Sequence, residues 1–235
     1  MKKILTLVAA VAGFSAVSYG QGTVLFSTTA SAASKTSVNS SVGGTTFALT
    51  PTTSTYYYAL FASATANTVL GSSAAIVGGT GASLASGASY VFNDANWTFI
   101  SYGLSSATGA GKFASSGTVN SDGTTTIPFA TAASPINLVA VGWSSNIGTS
   151  IANRESFFAG DGPISGLVGE SAVASIPAGS VPGTGQASPE SLFGTGAGQV
   201  GGLVLAVASP EPTTLALGVM GGLSLLALRR RKKAE

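Results

Sequence analysis

The chain has 235 residues, a length for one large domain or two small ones, and a formal charge of +2. It contains neither cysteine nor histidine, which excludes disulfides, thiolate or imidazole metal sites, a Ser-His-Asp triad and a cysteine nucleophile. The basic surplus sits at the two ends: between them Lys35, Lys112 and Arg154 stand against Asp94, Asp122, Glu155, Asp161, Glu170 and Glu190, so the body is net −3 and lacks the basic face that nucleic acid requires.

Residues 1–20 begin with Lys2 and Lys3, continue as an apolar stretch from Ile4 to about Val17, and end in small residues. Ser18 and Gly20 occupy the −3 and −1 positions of a cut before Gln21. This is the pattern of a secretory signal peptide, read by signal peptidase and the secretion machinery. The alternative, a permanent N-terminal anchor, needs a longer apolar core of roughly 20 residues.

Residues 21–208 are expected to form one β-rich extracytoplasmic domain. Strand signals lie at 22–27 (GTVLFS), 45–50 (TTFALT), 56–62 (YYYALFA), 97–102 and 201–208, with the most apolar run, 136–143 (INLVAVGW), as a central strand. In the strand over 97–102, alternation sets Trp97, Phe99 and Ser101 against Thr98, Ile100 and Tyr102. Asp122-Gly123 supplies the positive φ of a tight turn and predicts a hairpin between 112–119 and 124–130. Helical periodicity is nearly absent. The expected fold is mainly β, an antiparallel β-sandwich or jelly-roll-like body. Residues 67–89 and 179–200 are rich in Gly, Ser and Ala and read as loops, the second as a possible flexible tether.

Little in this body reads as chemistry. A carboxylate pair of the glycosidase kind would have to come from its six acids. Asp122 and Asp161 read as turn residues, and Arg154-Glu155 as an exposed loop pair. Asp94, Asp161 and Glu170 could meet calcium with backbone carbonyls, but no EF-hand or repeat spacing is present. Residues 196–201 match G-x-G-x-x-G, yet they precede a strand instead of opening a helix, and read as a linker. No cofactor, no metal and no catalytic residue is expected. The aromatics are the candidate ligand contacts: Trp97, Trp143, Tyr57 and Tyr102 could stack on sugar rings, or could simply fill the core.

After the body, Pro210-Glu211-Pro212 interrupts any helix. Thr213 to Leu228 follows without a charge, and Arg229, Arg230, Arg231, Lys232 and Lys233 close the segment. At ~1.5 Å per residue the apolar run makes about 24 Å of helix, somewhat less than a bilayer core of about 30 Å. The basic cluster would stay cytoplasmic and leave the body outside, the same topology the front end gives. An ordinary C-terminal anchor is the alternative, for which the span is short. Residues 187–190 repeat Ala208-Ser209-Pro210-Glu211 without the second proline, the apolar run or the basic end, so the layout carries the signal and not the tetrapeptide.

This three-part layout over 209–235 resembles the PEP-CTERM sorting signal of Gram-negative bacteria. The same tail is also called an ice-binding-protein C-terminal domain, although it is shared by many unlike proteins and implies nothing about ice. The resemblance implies recognition by an exosortase, a membrane-embedded transpeptidase-like enzyme that cleaves near the triplet, in a host that makes exopolysaccharide. GTVLFS, YYALFASA, VAVGWSSNIGTSI and GLVGESAV, in that order, are similar to segments of a group of short PEP-CTERM proteins without an assigned function. The resulting expectation is a non-enzymatic surface or matrix protein: exported across the inner membrane, held there as a precursor, then placed at the cell surface or in the matrix. A carbohydrate-binding module is the alternative, and a glycan-active enzyme comes third.

Overall fold

The computed structural model describes residues 21–28, 35–39, 48–69, 91, 94–107, 109–117, 119–120, 122–159, 165–180 and 188–208. The signal peptide, the sorting tail, Asp161 and residues 181–187 of the expected tether lie outside the described residues.

The body is mainly β. Its strands are β1 (Gly22–Val24), β2 (Lys35–Asn39), β3 (Ala48–Leu49), β4 (Tyr56–Ser63), β5 (Thr98–Ser105), β6 (Phe113–Ser115), β7 (Thr125–Ile127), β8 (Pro135–Ser144), β9 (Gly166–Glu170), β10 (Ala174–Pro177), β11 (Gly179–Ser180) and β12 (Gly202–Ala208). Helix α1 (Ile151–Ala159) stands between β8 and β9. A nine-stranded sheet runs β3-β2-β12-β9-β8-β4-β5-β6, with β10 pairing the first half of β8. A smaller sheet runs β11-β1-β7. The pairs are antiparallel except β2 with β12, which is parallel.

The central strands β4 and β8 are buried on both faces, which is why their sequences are continuous apolar runs. Alternation sorts their side chains into two cores. Tyr58, Leu60, Leu138 and Ala140 join Val24 and Ile127 of the small sheet and Leu205 of β12 on one side. Ala59, Phe61, Val139, Val141 and Trp143 meet Phe157 of α1 and Val69, Val91 and Trp97 on the other. Burial at about 25 cal/mol per Å² of apolar surface makes these layers the main source of stability.

Phe113 is the hub of the first core. It stacks on Tyr58 at 4.2 Å and meets Phe26 and Phe193 edge-on at 5.0 and 5.5 Å. Gly103 on the neighbouring strand makes room for it, since a Cβ there would stand 2.9 Å from the Phe113 ring.

The large sheet curls until its two edges meet at Gly111. The Thr36 N–H donates to the Gly111 carbonyl (2.8 Å), and the Gly111 N–H donates to the Thr50 carbonyl (2.9 Å). Inside this seam the Tyr58 hydroxyl donates to the Thr36 hydroxyl at 3.1 Å, and the Thr36 and Thr50 hydroxyls bond at 2.8 Å. Thr28 covers β6, exchanging bonds with the Phe113 carbonyl and N–H. These bonds occupy backbone groups that an open sheet edge would otherwise leave unpaired.

Three expectations need correction. The Asp122-Gly123 turn exists, with Gly123 at φ 79° and the Asn120 N–H donating to the Thr124 carbonyl, but β6 pairs with β5 and β7 with β1. The turn therefore passes the chain from one sheet to the other, with β6 taken up at the edge of the large sheet by β5 and β7 paired in the small sheet with β1. Residues 188–200 are packed and not a tether: Leu192, Phe193 and Val200 are buried, and Gln199 ties the turn to Ser191. Arg154 and Glu155 lie on α1, not on a loop; Arg154 is fully buried, while Glu155 is exposed. The helix starts at a reciprocal cap, with the Ser150 hydroxyl accepting the Asn153 backbone N–H and the Asn153 side-chain Oδ1 accepting the Ser150 backbone N–H.

Candidate ligand-binding face

The four aromatics singled out in the sequence belong to the same core region, on the α1 side of the large sheet. They differ in depth. Trp143 is fully buried and its indole N–H donates to the Gly148 carbonyl at 2.8 Å. Trp97 is buried too, with its N–H on the Thr68 carbonyl. Both rings are therefore core in this fold. Tyr57 and Tyr102 are half-buried. Tyr57 stacks on Trp143 with centroids 6.3 Å apart.

Two residues outside the sequence-based set complete this face. Phe99 and Leu104 are each 38% exposed. Phe99 lies 4.6 Å from Tyr102 and 5.8 Å from Phe61, ring to ring. Cross-strand pairing explains the grouping, since Phe61 faces Phe99, Ala59 faces Tyr102 and Tyr57 faces Leu104. Simple alternation had set Phe99 and Tyr102 on opposite faces. The register shifts at Leu60/Phe61: Leu60 pairs with Ser101 and Phe61 with Phe99, so Ile100 is an extra residue. That β-bulge re-phases the strand and turns its side chains onto one side.

The result is a stripe of Tyr57, Leu104, Tyr102 and Phe99 with one flank anchored in the core and the other open. β4, β5 and β6 carry no charged side chain. Such a surface offers rigid ring faces for stacking and CH contact, with no ionic selection.

The buried carboxylates sit elsewhere and are committed to local structure. Asp94 organises the turn before β5: its carboxylate accepts from the Asn96 backbone and side-chain amides at 3.0 and 2.8 Å. Glu170 accepts the Val91 N–H at 3.1 Å. Burial pushes its carboxyl up to about 7, against the opposing pull of the Val91 N–H and the Arg154 charge. Asp94 donates its own N–H to the Val91 carbonyl, so both acids hold the same residue from its two ends. Among the described residues no cluster of three metal-ligating side chains is present. Residues 196–201 form an ordered, largely exposed turn that leads into β12 and opens no helix.

No family model matches the chain, and neither a curated protein nor a solved structure does.

Proposed function

We propose that the chain is an exported, non-enzymatic protein of the cell surface or extracellular matrix, sorted through its PEP-CTERM-like tail and associated with exopolysaccharide. In this reading residues 1–20 direct export, residues 213–228 insert in the inner membrane as a short helix, and Pro210, Glu211, Pro212 and Arg229–Arg231 are the features an exosortase-type enzyme recognises. The body is a two-layer, jelly-roll-like β-sandwich, a reading supported by the core that Val24 and Ile127 of the small sheet share with Tyr58 and Leu138 of the large one. The observation that carries the proposal is the three-part layout directly after β12, whose last residue, Ala208, stands two positions before the triplet. Replacing Pro210-Glu211-Pro212 by three alanines in an exosortase-bearing host should leave a longer, membrane-retained precursor. Trimming and release at the wild-type rate would refute it.

The alternative, a carbohydrate-binding module, is favoured by one observation: the open side of the Tyr57–Tyr102–Phe99 stripe. A glycan array probed with residues 21–208 tests it directly.

A further inference from the structure

β12 ends at one particular end of the large sheet. Its last residue pairs with Gly166 of β9. Next to it, the Leu167 N–H donates to the Ser144 hydroxyl at 2.9 Å, and the Asn146 side-chain amide donates to the Ser165 carbonyl at 2.8 Å. The Ser145 N–H donates to the Thr55 carbonyl at 3.1 Å, which brings the loop before β4 to the same place. Residues 52–55, 145, 146, 149 and 165 are exposed here. They are Ser, Thr and Asn, and none of them carries a charge.

Chain length fixes how far this end can stand from the apolar run. Five residues lead from Ala208 to Thr213. At a maximum of ~3.6 Å each they reach about 18 Å. A headgroup layer takes roughly 6 Å of that on each side of the bilayer, which leaves at most about 12 Å between the end of β12 and the lipid surface. The loops around Ala208 are the part of the body that this short reach holds against the lipid. Hydroxyl and amide groups can bond to headgroup oxygens without the cost of desolvating a full charge.

We propose that the end of the sheet at which β12 terminates, formed by residues 52–55, 145, 146, 149 and 165, rests on the phospholipid headgroup layer while residues 213–228 are inserted. The inference rests on the membrane reading of the tail proposed above, and adds the surface by which the body meets the membrane. The far end of the sheet, about 30 Å away along the ten residues of β8, would then point into the extracytoplasmic space.

The chain has no cysteine, so single-cysteine variants report one position each. Asn146→Cys and Thr53→Cys probe the proposed contact, and Ser134→Cys, exposed before the start of β8, probes the far end. The full chain is labelled with a fluorophore and reconstituted in phosphatidylcholine–phosphatidylglycerol vesicles that carry a headgroup nitroxide. Quenching at 146 and 53 should exceed quenching at 134 several-fold. Equal quenching at all three positions, in protein that resists alkaline-carbonate extraction, overturns the orientation. Extraction by carbonate overturns the membrane reading of the tail, and this inference with it.

Discussion

Phe99 and Tyr102 stand three positions apart on one strand, yet their rings meet at 4.6 Å on one face of the sheet. In a regular strand an odd spacing separates two side chains onto opposite faces. The extra residue, Ile100, removes that separation and packs against the opposite core. Bulges of this kind re-aim side chains at places where a sheet has something to present.

If this face holds a neutral polysaccharide, Phe99→Ala and Tyr102→Ala should each weaken binding about two- to tenfold, in line with the roughly 0.5–1.5 kcal/mol of an aromatic contact. Their open positions keep the loss of fold stability to about 1 kcal/mol. Trp143→Ala should act differently, costing about 3–5 kcal/mol of stability because its ring fills the core. Affinity electrophoresis alongside urea unfolding separates these effects; unchanged mobility shifts for both open-face variants would remove the stripe from consideration as a binding surface.

Gly103→Ala should destabilise the body by about 1–3 kcal/mol, since the new methyl drives into the Phe113 ring and the well-packed hub has little room to yield. Gly201→Ala is the matched control, because a Cβ there meets nothing within 4 Å. Thermal unfolding of the two variants side by side should show a lowered Tm for the first alone.

Tyr58→Phe removes the hydroxyl that binds Thr36 but leaves the Thr36–Thr50 bond in place. The cost should be about 1 kcal/mol, the net value of one buried hydrogen bond. Burial pushes the Tyr58 phenol up to about 12. Its ionisation should accordingly be no more than about a tenth complete at pH 11 in a spectrophotometric titration of the folded protein.

Stability should fall as pH rises from about 4.5 to about 7. The folded state holds the Glu170 proton through this range while the unfolded chain has released it, so each step upward favours unfolding. The charged group that bears on this carboxyl is Arg154, on α1. The full difference is about 3 kcal/mol, and it is complete above the folded value. Glu170→Gln keeps an acceptor for the Val91 N–H and should flatten the profile. Chemical denaturation at a series of pH values tests this, and an equal slope in the variant would assign the effect to other groups.

The strands at 56–62, 97–102, 136–143 and 201–208 were legible because burial on one or both faces leaves an apolar record in the residues themselves. β2, with the sequence KTSVN, leaves no such record; it exists because β12 offers it a parallel partner. Of the α1 side chains that are described, the fully buried ones are Arg154 and Phe157, so the inward face of the helix carries a charged residue that an apolar pattern does not reveal. Its one local signal is the Ser150-x-x-Asn153 cap, which departs from the usual Glu or Gln at the last position. Tyr57 and Tyr102 were readable as candidates from their type alone. Phe99 was not, because a bulge is created by the partner strand and is invisible in the strand that contains it.

β12 lies inside the large sheet, between β2 and β9, and it is the last strand among the described residues. Gly202 pairs with Lys35 across most of the body, so the sheet cannot close while the final residues are missing. Contacts this distant in sequence form slowly. For a chain threaded outward from its N-terminus, closure must wait until about residue 208 has crossed. The next residues to arrive are the apolar run that would arrest the thread. In a chain exported as proposed above, such an order would keep the body open for passage during transit and let it lock at the moment transit stops.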